Sequence, residues 1–431
     1  MRSLVRVPSV VLMGMLSLSA WAALEGQDDL GDALSGDADA VAALRGGGES
    51  GLTRVMSAYA EQVTPKTEAE WRALIDAVAA QRDAATSGLY WYTDLDEAKA
   101  IAEQTGRPIL SLRLLGALTD EYSCANSRFF RAALYSNPDL AALIAERYVL
   151  HWSTERPVPV VTIDFGDGRS MKRTLTGNSA HYILDARGRP IDVLPGMVGP
   201  GVFAEQLTEA ADLHASLADL SSRKRTVALT QWHEDARQEA VEALQAGIEA
   251  AGREVASGEL EGWLAGGTPV DGPIAVQAMA LSPSKGFVET PILERIIPRR
   301  DPLDRGSIAP TDAEWSHIAQ GFSDASHLHH ASRQLIIDQR PLAVIPPDLQ
   351  DHNRLFEQLE QSISEDSARN ELSLHAQIHG WFAAGEVKDF EGLNRRVYDD
   401  LFATPASDPW MGLLEADVYT GLSEAGIIIA Q

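Results

Sequence analysis

Cys124 is the only cysteine among 431 residues, so no disulfide can close within the chain and any redox chemistry rests on one thiol. It opens the run Cys124-Ala125-Asn126-Ser127. A single thiol can attack a disulfide, enter a mixed disulfide or be oxidised to a sulfenic acid, but it cannot complete a dithiol cycle by itself. A second group with chemistry is Glu371, His375 and His379, at i, i+4 and i+8 of a predicted helix and therefore on one face. His-x-x-x-His on a helix can offer two neutral imidazoles to one zinc or copper ion. His327, His329 and His330, on another predicted helical segment, could supply a third ligand. There is no His-Glu-x-x-His arrangement to add a general base. Solvent-facing or core-capping histidines account for the pattern more simply, and no metal or cofactor is expected.

Other motifs lack their context. Gly46-x-Gly48-x-x-Gly51 follows no strand and opens no βαβ unit, so it is no dinucleotide fingerprint. Asp164-Phe165-Gly166 has no accompanying His-Arg-Asp loop, and Ser282-Pro283-Ser284-Lys285 is followed by no Lys-Thr-Gly. Trp381, Tyr398 and the run Asp408 to Leu413 read as anchors of the C-terminal core, with a peptide groove as the alternative.

The start reads as an export signal. Arg2 and Arg6 are basic, Val7 to Leu18 is apolar, and Ala20-Trp21-Ala22 provides small residues for cleavage after residue 22. The apolar stretch is shorter than the ~20 residues a membrane span needs. The expectation is a periplasmic or secreted protein with no membrane anchor after cleavage. The net charge is -26, and loss of Arg2 and Arg6 makes it -28. Phosphate binding needs clustered Lys and Arg, so a polyanion of this kind is not expected to bind nucleic acid or anionic lipid.

These residues must be positioned by the elements that follow. Residues 23–55, rich in acids and then in glycine, suggest a flexible leader, and Thr67 to Asp83 has helical periodicity within a lead-in over 56–87. Thr93 or Asp94 can cap a helix with Leu95, Ala98, Ile101 and Ala102 inward, ended by Gly106 and Pro108. Ile109 to Leu115 is a nearly continuous apolar run, as a buried parallel strand requires. After Cys124, Phe129 to Ile144 suggests a helix interrupted near Pro138, and Tyr148 to Trp152 a strand. Val160 to Phe165 and Arg169 to Thr176, joined at Gly166-Asp167-Gly168, read as a hairpin. His181 to Leu184 and Ile191 to Leu194 are short strands, and Phe203 to Leu220 a closing helix. Beyond Ser221 the pattern is helical: Trp232 to Ala251, Ala313 to Gln320, His327 to Asp338, Asn353 to Ser362, Ala368 to Ala384 and Phe390 to Phe402. A mobile loop is expected near Ser282 to Arg305.

The order helix, strand, Cys-helix, strand, hairpin pair, helix resembles the thioredoxin-like family over residues 88–220. The resemblance is carried by Asp94-Leu95-Asp96-Glu97-Ala98-Lys99, Gly106-Arg107-Pro108-Ile109-Leu110, the cysteine loop, and Gly177-Asn178-Ser179-Ala180 leading into His181 to Arg189. It implies an α/β thioredoxin-like domain, followed here by an all-α domain over 221–431. It also implies that Cys124 is the attacking thiol, with Ser127 in place of the resolving cysteine. Asn126 and Ser127 would then hydrogen-bond near the sulfur, Asn178 and Ser179 would shape the facing loop, and Arg128 and Arg131 would favour the thiolate. The sequence departs from the family in two ways. The loop facing the cysteine has no proline, and Arg156 to Thr176 is extended where a helix is usual. Three readings stay open: a monothiol thiol–disulfide role with a protein thiol or disulfide as partner, a non-catalytic binding module of the cell envelope, and a His-rich metal-binding protein.

Overall fold

The computed structural model describes residues 29–175, 177–266, 308–341 and 350–411, with positions 345, 413, 421–423, 427 and 429 beside them. The expected export signal, the Ser282 to Lys285 match and the loop expected near Ser282 to Arg305 lie outside the described residues. The chain divides into two compact units, Met1–Tyr90 and Trp91–Gln431.

In the first unit the expected flexible leader is helical where it is described: α1 spans Ala38–Gly46 and α2 Gly48–Gln62. The acids and glycines hide an apolar minority, since Leu44, Leu52 and Val55 are buried. They pack with α3, Glu68–Ala79, which buries Trp71, Leu74, Ile75 and Val78. A short α4, Ala84–Ser87, follows.

The second unit joins a mixed α/β region to a largely helical C-terminal region. Asp94 accepts hydrogen bonds from Asp96 N and Glu97 N to cap α5, Leu95–Thr105, and Gly106 ends it in the left-handed conformation. Then come β1, Ile109–Leu115; α6, Ala125–Phe129, continued by a π-helical turn over Phe130–Tyr135; α7, Pro138–Arg147; and β2, Val149–Arg156. The hairpin is β3, Val160–Asp164, with β4, Ser170–Thr174, and it forms its own two-stranded sheet. Next are β5, Ala180–Leu184; β6, Pro190–Pro195; and α8, Pro200–Leu217.

The main sheet has the order β2-β1-β5-β6. β1 runs parallel to β2, with Ile109 opposite Val149, and antiparallel to β5, with Ile109 opposite Leu184. β6 is antiparallel to β5, and Tyr92 makes a parallel bridge to His151 on the outer side of β2. Every residue of β5 and β6 is buried. A strand covered on both faces needs a near-continuous apolar run, so the polar residues within it, His181 and Asp192, require partners.

The C-terminal region begins with α9, Ser222–Ala250, and α10, Ser257–Ala265. It continues with α11, Asp312–Ala319; α12, His330–Asp338; and α13, His352–Arg369, which runs through a π-helical turn, Asn370–His375, into α14, Ala376–Ala383. Last is α15, Phe390–Arg396, with a further π-helical turn over Val397–Leu401. Leu244, Ile248, Leu260, Trp315 and Leu372 belong to its core. This core meets the sheet closely: a Cβ on Gly199 would lie 2.7 Å from Ala325 O, so only glycine fits there. Among the described residues no helix is long and apolar enough to cross a membrane.

Two sheet histidines are buried and neutral. Burial pushes His181 down to about 3, between Phe130 and Phe203 and with Tyr135 Oη 2.6 Å from its Nε2. Burial, and secondarily the charge of Arg113, push His151 down to about 4, with its Nδ1 2.8 Å from Ser111 Oγ. Once unfolded, both titrate near 6.5, so below that pH the unfolded chain binds more protons and stability rises with pH. Unfolding free energy is therefore expected to fall as pH is lowered from 6.5 towards 4, by up to about 1.4 kcal/mol per pH unit for each histidine, and the thermal midpoint with it. Thermal melts between pH 7 and pH 4.5 check this, and a midpoint that stays flat over that range contradicts it.

Candidate functional site

Cys124 is the residue before α6, and its backbone N–H donates to Leu115 O at 3.1 Å, tying the turn to the end of β1. Its side chain is fully buried. Sγ lies 3.0 Å from Ser179 Oγ of the facing loop. That loop is held down from the C-terminal region, where Tyr398 Oη donates to Asn178 O at 3.1 Å. Gly177 has φ +95°, and a Cβ there would lie 3.1 Å from Cys124 Cβ. The loop thus closes directly over the cysteine.

The residues expected around the sulfur divide accordingly. Ser179 touches it, and Asn178 sits beside it with its carbonyl engaged by Tyr398. Ser127 does not address the sulfur. Its hydroxyl lies 2.7 Å from Ser123 Oγ and 2.9 Å from the Cys124 carbonyl. Asn126 is buried with its Nδ2 lacking a hydrogen-bond partner. Arg128 donates to Thr174 Oγ1 at 2.7 Å and Arg131 to Leu118 O at 3.3 Å. Both contacts turn guanidinium N–H groups towards other acceptors than the sulfur.

A second group of polar side chains gathers where β6 meets the C-terminal helices. Asp192, from β6, receives His375 Nε2 at 3.0 Å on each carboxylate oxygen. The other His375 nitrogen, Nδ1, is 3.4 Å from Glu371 Oε1. Gln206 of α8 donates to Glu371 Oε2. His379, one turn on, stacks 4.0 Å from His375, and its Nδ1 lies 2.8 Å from Nδ1 of His233 on α9. His233 Nε2 is 2.9 Å from Ile191 O. A carbonyl only accepts, so Nε2 carries the proton and the Nδ1 lone pair faces His379.

The charges follow from these contacts. Burial opposes ionisation of Asp192, but the adjacent His375 imidazolium overrides it and holds the carboxyl well below the usual carboxylate range. Burial likewise works against charge on His375, and Asp192 with Glu371 overrides it, raising the imidazole to about 10. His233 and His379 lack such a partner: burial lowers the first to about 4 and holds the second well below 6.5. The group therefore holds one buried ion pair and two neutral imidazoles. Among the described residues, Asp192, His233 and His379 are the set whose ligand atoms all lie within 4.8 Å of one another, close enough for one metal ion.

A cleft of about 220 Å³ reaches this group, lined by Asp192, Glu209, Trp232, Glu239, Glu371 and His379 among others. Partial burial, then repulsion from Glu205, Glu371, Glu239 and Asp192, raise the Glu209 carboxyl. No family model matches the chain, and no curated protein and no solved structure matches it either.

The face shared by Glu371, His375 and His379 was legible from helical spacing. Two of the histidines that could have supplied a third ligand have partners of their own. His327 lies 3.0 Å from Glu360, and the His329 ring accepts from Ala331 N at the start of α12. Sequence reasoning missed Asp192 and His233. The available signal was a lone carboxylate inside the apolar run Ile191-Asp192-Val193-Leu194. Removing one partner of a buried ion pair leaves the other uncompensated and costs about 3–5 kcal/mol. Asp192→Asn is therefore expected to lower unfolding stability by about that amount in urea titrations. A loss below about 1 kcal/mol, the range of a surface pair, would show the pair to be unimportant.

Proposed function

We propose that the α/β region is a thioredoxin-like domain, and that the chain acts by binding a ligand at the cleft over Asp192 rather than by thiol–disulfide exchange. The strand order β2-β1-β5-β6 supports the family reading, as do the parallel β1–β2 pair, the antiparallel β5 and β6, and the cysteine directly before a helix that follows β1. The hairpin of β3 and β4 stands where the family usually has a helix. The basic start, apolar stretch and small residues of positions 1–22 support export to the periplasm or beyond.

The observation that carries the binding reading is the contrast between the two polar loci. The thiol has no exposed surface and lies under a closed loop, whereas exchange requires in-line access of a thiolate to a disulfide sulfur. The histidine and carboxylate group opens onto a cleft. Few polar groups converging in a concave site are the usual mark of a ligand pocket.

Thiol labelling decides between them. Cys124 in the folded chain is expected to react with an aryl disulfide reagent on the order of a thousand-fold more slowly than in denaturant, because reaction must await local opening. Native-state labelling at the rate of the unfolded chain would return the reading to a monothiol redox protein.

A further inference from the structure

We infer that Asp192, His233 and His379 form a binding site for one first-row divalent metal ion, placed at the inner end of the cleft. The inference rests on reading this cleft as the chain's binding site and names its ligand.

The argument begins with donor chemistry. Two imidazole nitrogens and one carboxylate oxygen suit zinc and its neighbours in the first transition row, whereas calcium and magnesium take all-oxygen sets. The three donors come from β6, α9 and α14, and all three residues are buried. Rigid elements hold a coordination geometry better than loops do.

Distances come next. With metal–ligand bonds of about 2.1 Å, two donors on a tetrahedral ion stand about 3.3 Å apart. The three donor atoms already lie within 4.8 Å of one another, and the two Nδ1 atoms at 2.8 Å. An ion there would draw the Asp192 oxygen inward and part the two Nδ1 atoms to about that spacing.

The surroundings have the form that metal-bound histidines need. A ligating histidine nearly always donates its second ring N–H to a carbonyl or carboxylate, which fixes the tautomer and the ring plane. His233 does so through Nε2 to Ile191 O, and stacking on Phe382 at 4.0 Å and 14° holds its plane. Asp192 can give one oxygen to the ion while the other stays on His375 Nε2.

Three protein ligands leave a fourth position open, as in zinc sites that act on a substrate. Asp192 and His379 themselves line the cleft, which gives a small ligand a route to the ion. Glu209, Glu239 and Glu371 along the cleft favour the approach of a cation. A site of this kind takes up a divalent ion from outside and presents it to a small ligand.

The test uses the full-length chain, stripped with a chelator and titrated with Zn²⁺, and separately with Co²⁺ as a visible probe. One Zn²⁺ per chain is expected in chelator competition, with a rise in unfolding midpoint that grows with free zinc. Co²⁺ is expected to give the intense visible bands of a four- or five-coordinate ion. His233→Gln and His379→Gln should each weaken Zn²⁺ by at least about a hundred-fold, as loss of a ligand costs more than the 10–100-fold of an outer-shell change. His327→Gln, at the exposed contact with Glu360, should leave affinity unchanged. Near-UV circular dichroism shows whether each variant is folded, and the wild-type stoichiometry and cobalt spectrum need no variant. Absence of saturable one-to-one binding by the wild type overturns the inference, as does binding that survives both substitutions in folded protein or is lost with His327. Thiol labelling and metal titration fail separately, so loss of the metal site leaves the sealed cysteine to be judged on its own.

Discussion

A carboxylate in the middle of a fully buried strand is tolerated only if a cation meets it there, and in this chain His375 is that cation. The pair is the point at which two differently built regions become one unit. Asp192 belongs to the edge strand of the sheet and His375 to the helical region, and neither could stay charged in an apolar interior without the other. Several neighbouring features serve the same joint. Ser367 Oγ accepts from Gly199 N at 2.8 Å, Asn370 Nδ2 donates to Met197 O, and Arg113 of β1 reaches Glu391 at 2.6 Å. Each of these contacts crosses from the α/β region to the C-terminal helices within the second unit.

The same joint buries the cysteine and lays the histidine group against a cleft. Tyr398, from the last helical segment, reaches back 220 residues to hold the Asn178 carbonyl, and the loop so held covers the thiol. The C-terminal region therefore closes one end of the α/β region while it builds a polar cleft at another. The thiol at the start of α6 is a small buried side chain packed against Ser179.

Much of the fold was legible because local signals carried it. The apolar run Ile109 to Leu115, the Asp94 cap, the Gly166-Asp167-Gly168 turn and the helical spacing after Ser221 each point to the element that forms. The two early helices were not legible, because their few buried leucines and valines are diluted by acids and glycine. The site was half legible. Glu371, His375 and His379 share a helical period, so spacing alone placed them together. Asp192 and His233 lie 183 and 146 residues from the histidines they meet, and no local period encodes a contact of that range. Ser127 shows the converse: proximity in sequence suggested a role at the sulfur, but its hydroxyl is satisfied by Ser123 and the backbone of its own turn.

The π-helical turn at Asn370–His375 carries a consequence for how this chain could vary. Such a turn holds one residue more than an ordinary helix would at the same place. Each residue of an α-helix advances the side-chain direction by about 100°. The extra residue is taken up within the turn, so deleting one residue between Asn370 and His375 would restore a regular helix and leave His379 facing His233. A one-residue deletion in this short stretch would therefore leave that histidine pair, the sheet and the cysteine locus in place.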